Sequence, residues 1–230
     1  MEFRRISAVI VVDLSRPEEM MATVDTLIEH VRDKIDNILS TERHYLLKDR
    51  LRQSSKQRVG HQHEDVSDVT PCLIPLIIVG SKFDVYQGFQ VEKRKAINRY
   101  LRLAAHMNGA ALFYCSIRSE VTVNRIKGVL NCLTFAPQEP IPQSLDANRP
   151  LVIPFGSDSF QLIGTVSLEA ARKEVTSLYP DQVVSKFVIP DNPAKDPKFK
   201  ERDVDLIRDI RDQELEDYRR QLELTMHQND

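Results

Sequence analysis

The 230-residue chain is long enough for one large or two small domains, and its 41% apolar content suffices to bury an ordinary core. Its 32 basic and 34 acidic residues leave a formal net charge of -2, which excludes a global field drawing it to nucleic acid or to an acidic membrane. No apolar run reaches the roughly 18 residues of a membrane span, and Met1-Glu2-Phe3-Arg4-Arg5 is not followed by a cleavage-type segment, so a cytosolic setting is expected. Cys72, Cys115 and Cys132 lack the paired spacing of metal or disulfide frameworks and read as buried, reduced thiols.

Ile6-Ser-Ala-Val-Ile-Val-Val12 is a β-branched run of the kind found in a central strand covered on both faces. Ser15 as N-cap and Pro17 near the first helical position then open a helix whose apolar stripe is Met20, Val24, Leu27, Ile28, Val31, Ile35, Ile38 and Leu39. Polar, aperiodic residues predict a loop over 52–70. Leu73 to Val79 is the second strand, with Pro75 pushing that end towards an irregular or edge position. A helix from about Val91 to His106 follows, with Ile97, Leu101, Ala104 and Ala105 inward. Its Glu92, Lys93, Arg94, Lys95, Arg99 and Arg102 face out, the basic run reading as a solvated surface. Ala110 to Cys115 is a third buried strand, and Val123, Ile126, Leu130 and Leu133 mark the inner face of a third helix.

Strand and helix thus alternate three times, which predicts a parallel α/β sheet over residues 1–136 with any ligand at the carboxyl ends of its strands. Pro137, Pro140, Pro142, Pro150 and Pro154 mark a Pro-rich extension over 137–200, with Leu151-Val152-Ile153 and Phe155 as its strand candidate. Residues 201–226 read as a charged amphipathic helix. Its thin apolar seam of Val204, Ile207, Ile210, Leu215, Tyr218 and Leu222 needs a partner; Val204, Ile207, Ile210, Tyr218 and Leu222 are the candidate contacts.

The strand end Val79-Gly80-Ser81-Lys82-Phe83-Asp84 carries the chemistry. It resembles the Asn/Thr-Lys-x-Asp turn of Ras-like GTPases, where a carboxylate accepts from the guanine N1–H and N2–H while the lysine stem lies along the base. Ser116 and Arg118, after the next strand, stand where such folds place another contact to that base. The bland alternative is a polar strand-to-helix turn, in which Asp is a common residue. No Gly-x-x-x-x-Gly-Lys-Ser/Thr accompanies the turn, so phosphate, Mg²⁺ and a positioned water have no evident holders. Asp13 reads as structural, and His61 and His63 as incidental loop histidines without enough companions for a metal.

Five segments, in order along nearly the whole chain, resemble the dynein light intermediate chain family, most closely that of the cytoplasmic dynein of intraflagellar transport. They are Val11 to Pro17, Pro75 to Val85, Phe89 to Lys95, Asp158 to Gly164 and Pro193 to Pro197. The resemblance implies an incomplete Ras-like sheet of the P-loop NTPase type, with flanking helices, the Pro-rich extension and the C-terminal helix. Relatives carry their phosphate-loop region and first strands ahead of the position of Met1, so the strand at Ile6 to Val12 is expected to present an apolar edge.

It further implies a non-catalytic subunit that binds and stabilises the motor's heavy-chain tail, beside other dynein subunits, in retrograde intraflagellar transport and cilium assembly. No cofactor, nucleic acid or membrane insertion is expected. Ser81, Lys82, Asp84 and Ser116 are then vestiges of a guanine loop. The places implied are the cytoplasm and cytoskeleton, and the axoneme and basal body of a cilium or flagellum. A truncated GTPase that binds guanine nucleotide when whole is the competing expectation.

Overall fold

The structure is a computed structural model describing residues 6–40, 45–60, 62–134, 141–146, 148–179, 187–190 and 196–227. The chain divides into two units, residues 1–187 and 188–230. Pro137, Pro140, His61 and Pro193 to Lys195 lie outside the described residues, as does the side chain of Leu222.

In the first unit, β1 (Ala8–Asp13), β2 (Leu76–Ser81) and β3 (Ala111–Tyr114) are parallel, with β2 between the others. A two-residue strand, β4 (Val152–Ile153), joins β3 antiparallel, so the strand candidate of the Pro-rich extension completes a four-stranded open sheet. This is the α/β arrangement expected of the Ras-like resemblance. β2 is buried from Leu76 to Gly80, and Pro75 falls just before it, where its missing N–H costs the ladder nothing and its carbonyl accepts from Ala8 N at 2.8 Å.

The expectation that the first strand is central and covered on both faces is corrected. Among the described residues β1 is an edge strand: Ile10 and Val12 enter the core, whereas Val9 and Val11 are 40% and 60% exposed. A strand's side chains alternate between faces, so this split follows from covering one face only.

α1 (Pro17–Leu39) and α4 (Val91–Met107) cover the face of Ile10, Val12, Ile78 and Leu112. α5 (Glu120–Thr134) covers the opposite face, where Val129, Ile126 and Leu133 meet Ile77, Val79, Ala111 and Phe113. Leu130, expected inside, is turned outward, and of the cysteines expected to be buried only Cys72 is, Cys115 and Cys132 being partly exposed. Arg16 rather than Ser15 is the N-cap of α1, because Ser15 is committed to Asp13. In the stripe of α1, Met20, Val24, Ile28, Ile35 and Leu39 are buried and Leu27 and Val31 partly so, while Ile38 is exposed.

The predicted loop over 52–70 is corrected in its first half. α2 (Tyr45–Val59) buries Leu51, Ser55 and Val59, a polar-looking stripe at helical spacing. Ser55 is tolerated there because its hydroxyl donates to the Arg52 carbonyl at 2.8 Å, within the helix itself.

Short helices α3 (Phe83–Tyr86) and α6 (Phe160–Ile163) and the longer α7 (Leu168–Ser177) finish the unit, with α7 packed on α4. Ser159 and Ser167 cap α6 and α7 through Leu162 N and Ala170 N. Buried Asn98 of α4 accepts at Oδ1 from Tyr86 of α3 at 2.6 Å and from Tyr114 of β3 at 2.8 Å, which locks the element following the Ser81–Asp84 turn onto the sheet.

The second unit holds a 3-10 turn, Pro197–Phe199, capped by Asp196, and α8 (Arg202–His227). Pairs such as Arg208–Asp205 and Arg211–Glu214, three residues apart, run along α8.

Candidate functional site

Because the three strands are parallel, Asp13, Ser81 and the residues after β3 emerge at one edge of the sheet, with Asp13 in register with Ser81. Gly80 permits the close packing beneath them: a Cβ there would lie 2.8 Å from Tyr114 and 2.9 Å from Leu14. Ser81 Oγ donates to the Val12 carbonyl at 2.8 Å and so points at the neighbouring strand. Lys82, at φ 57°, is the one non-glycine residue with positive φ among those described. That backbone turn aims its side chain back over β1, where Nζ meets Asp13 Oδ2 at 2.6 Å.

Asp13 is held from two sides, since its other oxygen accepts from Ser15 N at 2.9 Å and Ser15 Oγ at 2.6 Å. Burial pushes the Asp13 carboxyl up, but the hydrogen bonds from Lys82 and Ser15 together outweigh it and leave the group below its usual range. Asp13, read as structural, is partnered by the lysine of the turn.

Asp84 is brought to Ser116, as the motif predicts. Ser116 Oγ donates to Asp84 Oδ1 at 2.7 Å, and Arg118 Nε approaches Oδ2 at 3.3 Å. The Ser116 hydroxyl is the main reason the Asp84 carboxyl lies below its usual range; Arg118 and Lys82 add to it. Thr122 Oγ1 fixes the loop by accepting from Ser116 N at 3.1 Å and donating to the Ser116 carbonyl at 3.0 Å. The four residues Ser81, Lys82, Asp84 and Ser116 thus share one corner, with both charged groups already paired within the chain. For Asp84 to accept from a base edge, Arg118, which is 80% exposed, would have to swing aside. Lys82 would have to release Asp13 to lie along the base.

Of the seam on α8, Val204, Ile207, Ile210, Leu215 and Tyr218 are each about half exposed. Leu206 is equally exposed, on a different side of the seam.

A second polar centre went unseen in the sequence. His63, Asp65 and His106 place potential ligand atoms within 4.8 Å of one another. Their hydrogen bonds already close on one another. His63 Nε2 donates to the Asp158 carbonyl at 2.8 Å, and its Nδ1 accepts from Asp65 N at 3.1 Å. Asp65 Oδ2 accepts from His106 Nε2 and from Phe160 N, both at 2.8 Å. The rings of His106 and Phe160 meet edge to face at 4.8 Å. His63 is therefore a built-in connector and not an incidental loop histidine. No spacing signals the group, because His106 lies some forty residues beyond His63 and Asp65 in the chain.

Two outward assignments on α4 are corrected by the same region. Arg102 reaches inward to buried Asp158, and Arg94 is buried near Asn148, its Nη2 to Oδ1 distance being 3.3 Å. In both cases the covering element is the extension after residue 141, which no helical periodicity within α4 discloses. Lys93 does face outward, its ammonium over the ring of Tyr179 at 4.5 Å.

No family model matches the chain. It is 36% identical over 94% of its length to cytoplasmic dynein 2 light intermediate chain 1 of Danio rerio, spanning 64% of that protein. To the proteins of the same name from Homo sapiens and Mus musculus it is 33% identical, over 94% and 98% of its length and spanning 66% and 68% of theirs. The chain therefore spans about two thirds of the length of these relatives. Among solved structures it resembles the conserved domain of a dynein light intermediate chain, with a TM-score of 0.54 at 17% identity, covering 83% of this chain and 69% of that one. That likeness bears on the fold alone.

Proposed function

As this chain belongs to the dynein light intermediate chain family, we propose that it is a non-catalytic subunit of a cytoplasmic dynein 2 motor, binding and stabilising the heavy-chain tail in retrograde intraflagellar transport. The observation carrying this reading is the match to dynein 2 light intermediate chains over 94% of the chain, which reaches into both structural units. On this reading the subunit works in the cytoplasm and on the cytoskeleton, at the axoneme and basal body of a cilium or flagellum, where it supports cilium assembly. Other dynein subunits are its further partners. No described helix is long and apolar enough to cross a membrane.

The α/β unit with its extension is the docking body, and α8 adds a second contact through Val204, Ile207, Ile210 and Tyr218. Four half-exposed apolar residues on a helix otherwise dense in charge support that role. Capture of the chain by a heavy-chain tail fragment tests the proposal. Failure of capture by a tail that still dimerises would overturn it, while undiminished capture after removal of α8 would remove α8 from the contact.

A second reading is favoured by one specific observation, the meeting of Lys82, Asp84 and Ser116 at a single strand end. It holds that a longer form of the protein binds guanine nucleotide. Calorimetric titration of GDP into such a form decides the matter: no heat of binding with Asp84 intact sinks this reading. For the present chain the expected result is no measurable binding, since base contacts alone do not replace phosphate contacts.

A further inference from the structure

The charged stripe of α2 faces α1 across a cleft of about 380 Å³. Lys48, Arg52 and Lys56 recur at every fourth residue, so they stand above one another along one wall. Arg32 of α1 adds a fourth cation on the opposite wall, and among the described residues Asp36 is the sole carboxylate of the lining. Buried Ile35 and Val69, with Leu73 beside them, give the cleft an apolar floor.

The internal partners compensate this positive charge only in part. Arg32 is spent on neutral groups, the Thr70 carbonyl and Asn108 Oδ1, the latter at 2.7 Å. Lys48 pairs with Asp36 at 3.0 Å. Arg52 reaches Asp49 only at 3.6 Å, with both side chains largely in solvent. The ammonium of Lys56 has no ion-pair partner among the described residues. Like charges four apart on a helix repel one another, and of the stripe Lys56 alone stands in the last turn, where the negative end of the helix favours a cation. The concentration is also local, because the whole chain is slightly acidic.

We propose that the α1–α2 cleft docks an acidic peptide segment of a partner protein, with carboxylates along Lys48, Arg52 and Lys56 and one apolar side chain on the Ile35–Val69–Leu73 floor. Charge complementarity selects the acid, and the floor selects a peptide over a free anion. An inorganic anion would use the cations and leave the apolar floor wet. The proposal is independent of the heavy-chain reading, since neither α8 nor the Ser81–Asp84 corner takes part.

The test is selection of random peptides of about ten residues from a displayed library on the full chain, followed by anisotropy measurements with the recovered peptides. The expected result is enrichment of Asp and Glu around one large apolar residue. Binding should weaken at least about tenfold in the double variant R52E/K56E, a loss of about 1.4 kcal/mol. The thermal midpoint of that variant should match the parent, because both side chains are mostly solvated. Enrichment of sequences without acids, or binding that survives the charge reversal, overturns the proposal. Pyrophosphate titrated alone is the second arm: saturation at micromolar concentration, lost in R52E/K56E, would assign the cleft to a free anion and overturn it as well.

Discussion

Arg102 meets Asp158 in two parallel hydrogen bonds, Nε to Oδ2 at 2.8 Å and Nη2 to Oδ1 at 2.5 Å, with the two side chains only 13% and 3% exposed. The pair bolts the extension to α4. Removing one member of such a pair strands a buried charge and costs roughly 3–5 kcal/mol, whereas replacing both by apolar groups of similar size is often near neutral. Asp158→Ala should therefore lower the urea midpoint strongly at unchanged m-value, and Arg102→Met combined with Asp158→Leu should recover most of the loss. A single-variant loss below about 1 kcal/mol would show that the pair is not a fastener.

The neighbouring His106 makes stability depend on pH. Burial holds its imidazole below the usual range, against the opposing pull of the Asp65 carboxylate. In the unfolded chain the ring titrates near about 6.5. As pH falls through that value the unfolded state takes up a proton that the folded state resists, so stability drops with falling pH and levels off below the folded value. His106→Gln keeps a donor for Asp65 and removes the titration. Its unfolding free energy should vary less than the parent's between pH 7 and pH 5, and parallel curves for the two proteins would refute the assignment.

Much of this architecture is written in short-range pattern. The strands Ile6 to Val12, Leu76 to Val79 and Ala111 to Tyr114 announce themselves by β-branched and apolar runs, and α1 and α4 by their stripes. The Lys82–Asp84–Ser116 corner is legible because each member closely follows a strand that the pattern locates. What stayed hidden depends on partners remote in sequence. Arg94 and Arg102 look like surface residues until the extension folds over them, and α2 from residue 52 onward reads as a loop because its buried stripe includes Ser55. The exposure of Val9 and Val11 is equally invisible locally, since a β-branched run does not say whether a second helix covers its outer face.

At the strand-end corner, Ser116 governs the Asp84 carboxyl more than either nearby cation does. Ser116→Ala should raise the Asp84 titration midpoint towards the ordinary aspartate value of about 3.9, as followed by the carboxyl carbon resonance. Arg118→Ala should raise it less, because that guanidinium is largely in solvent. An order of effects opposite to this would mean that the ion pair, and not the hydroxyl, sets the charge state of the turn.

Two glycines with positive φ separate backbone strain from lack of space. Gly164, at φ 84°, ends α6 with nothing within 4 Å of the place a Cβ would take, so Gly164→Ala meets only the left-handed backbone cost of about 1–2 kcal/mol. Gly156, at φ 63°, lies against the end of α2, where a Cβ would stand 2.2 Å from the Val59 carbonyl oxygen and 2.7 Å from its carbon. Those atoms are backbone and cannot rotate away, so Gly156→Ala must pull the extension off α2 as well as strain the turn. Chemical denaturation should show Gly156→Ala losing at least about 2 kcal/mol more than Gly164→Ala, on the scale of overpacking a tight site. Equal losses would mean that α2 yields freely, and that the contact between α2 and the extension contributes little to holding the wall of the cleft.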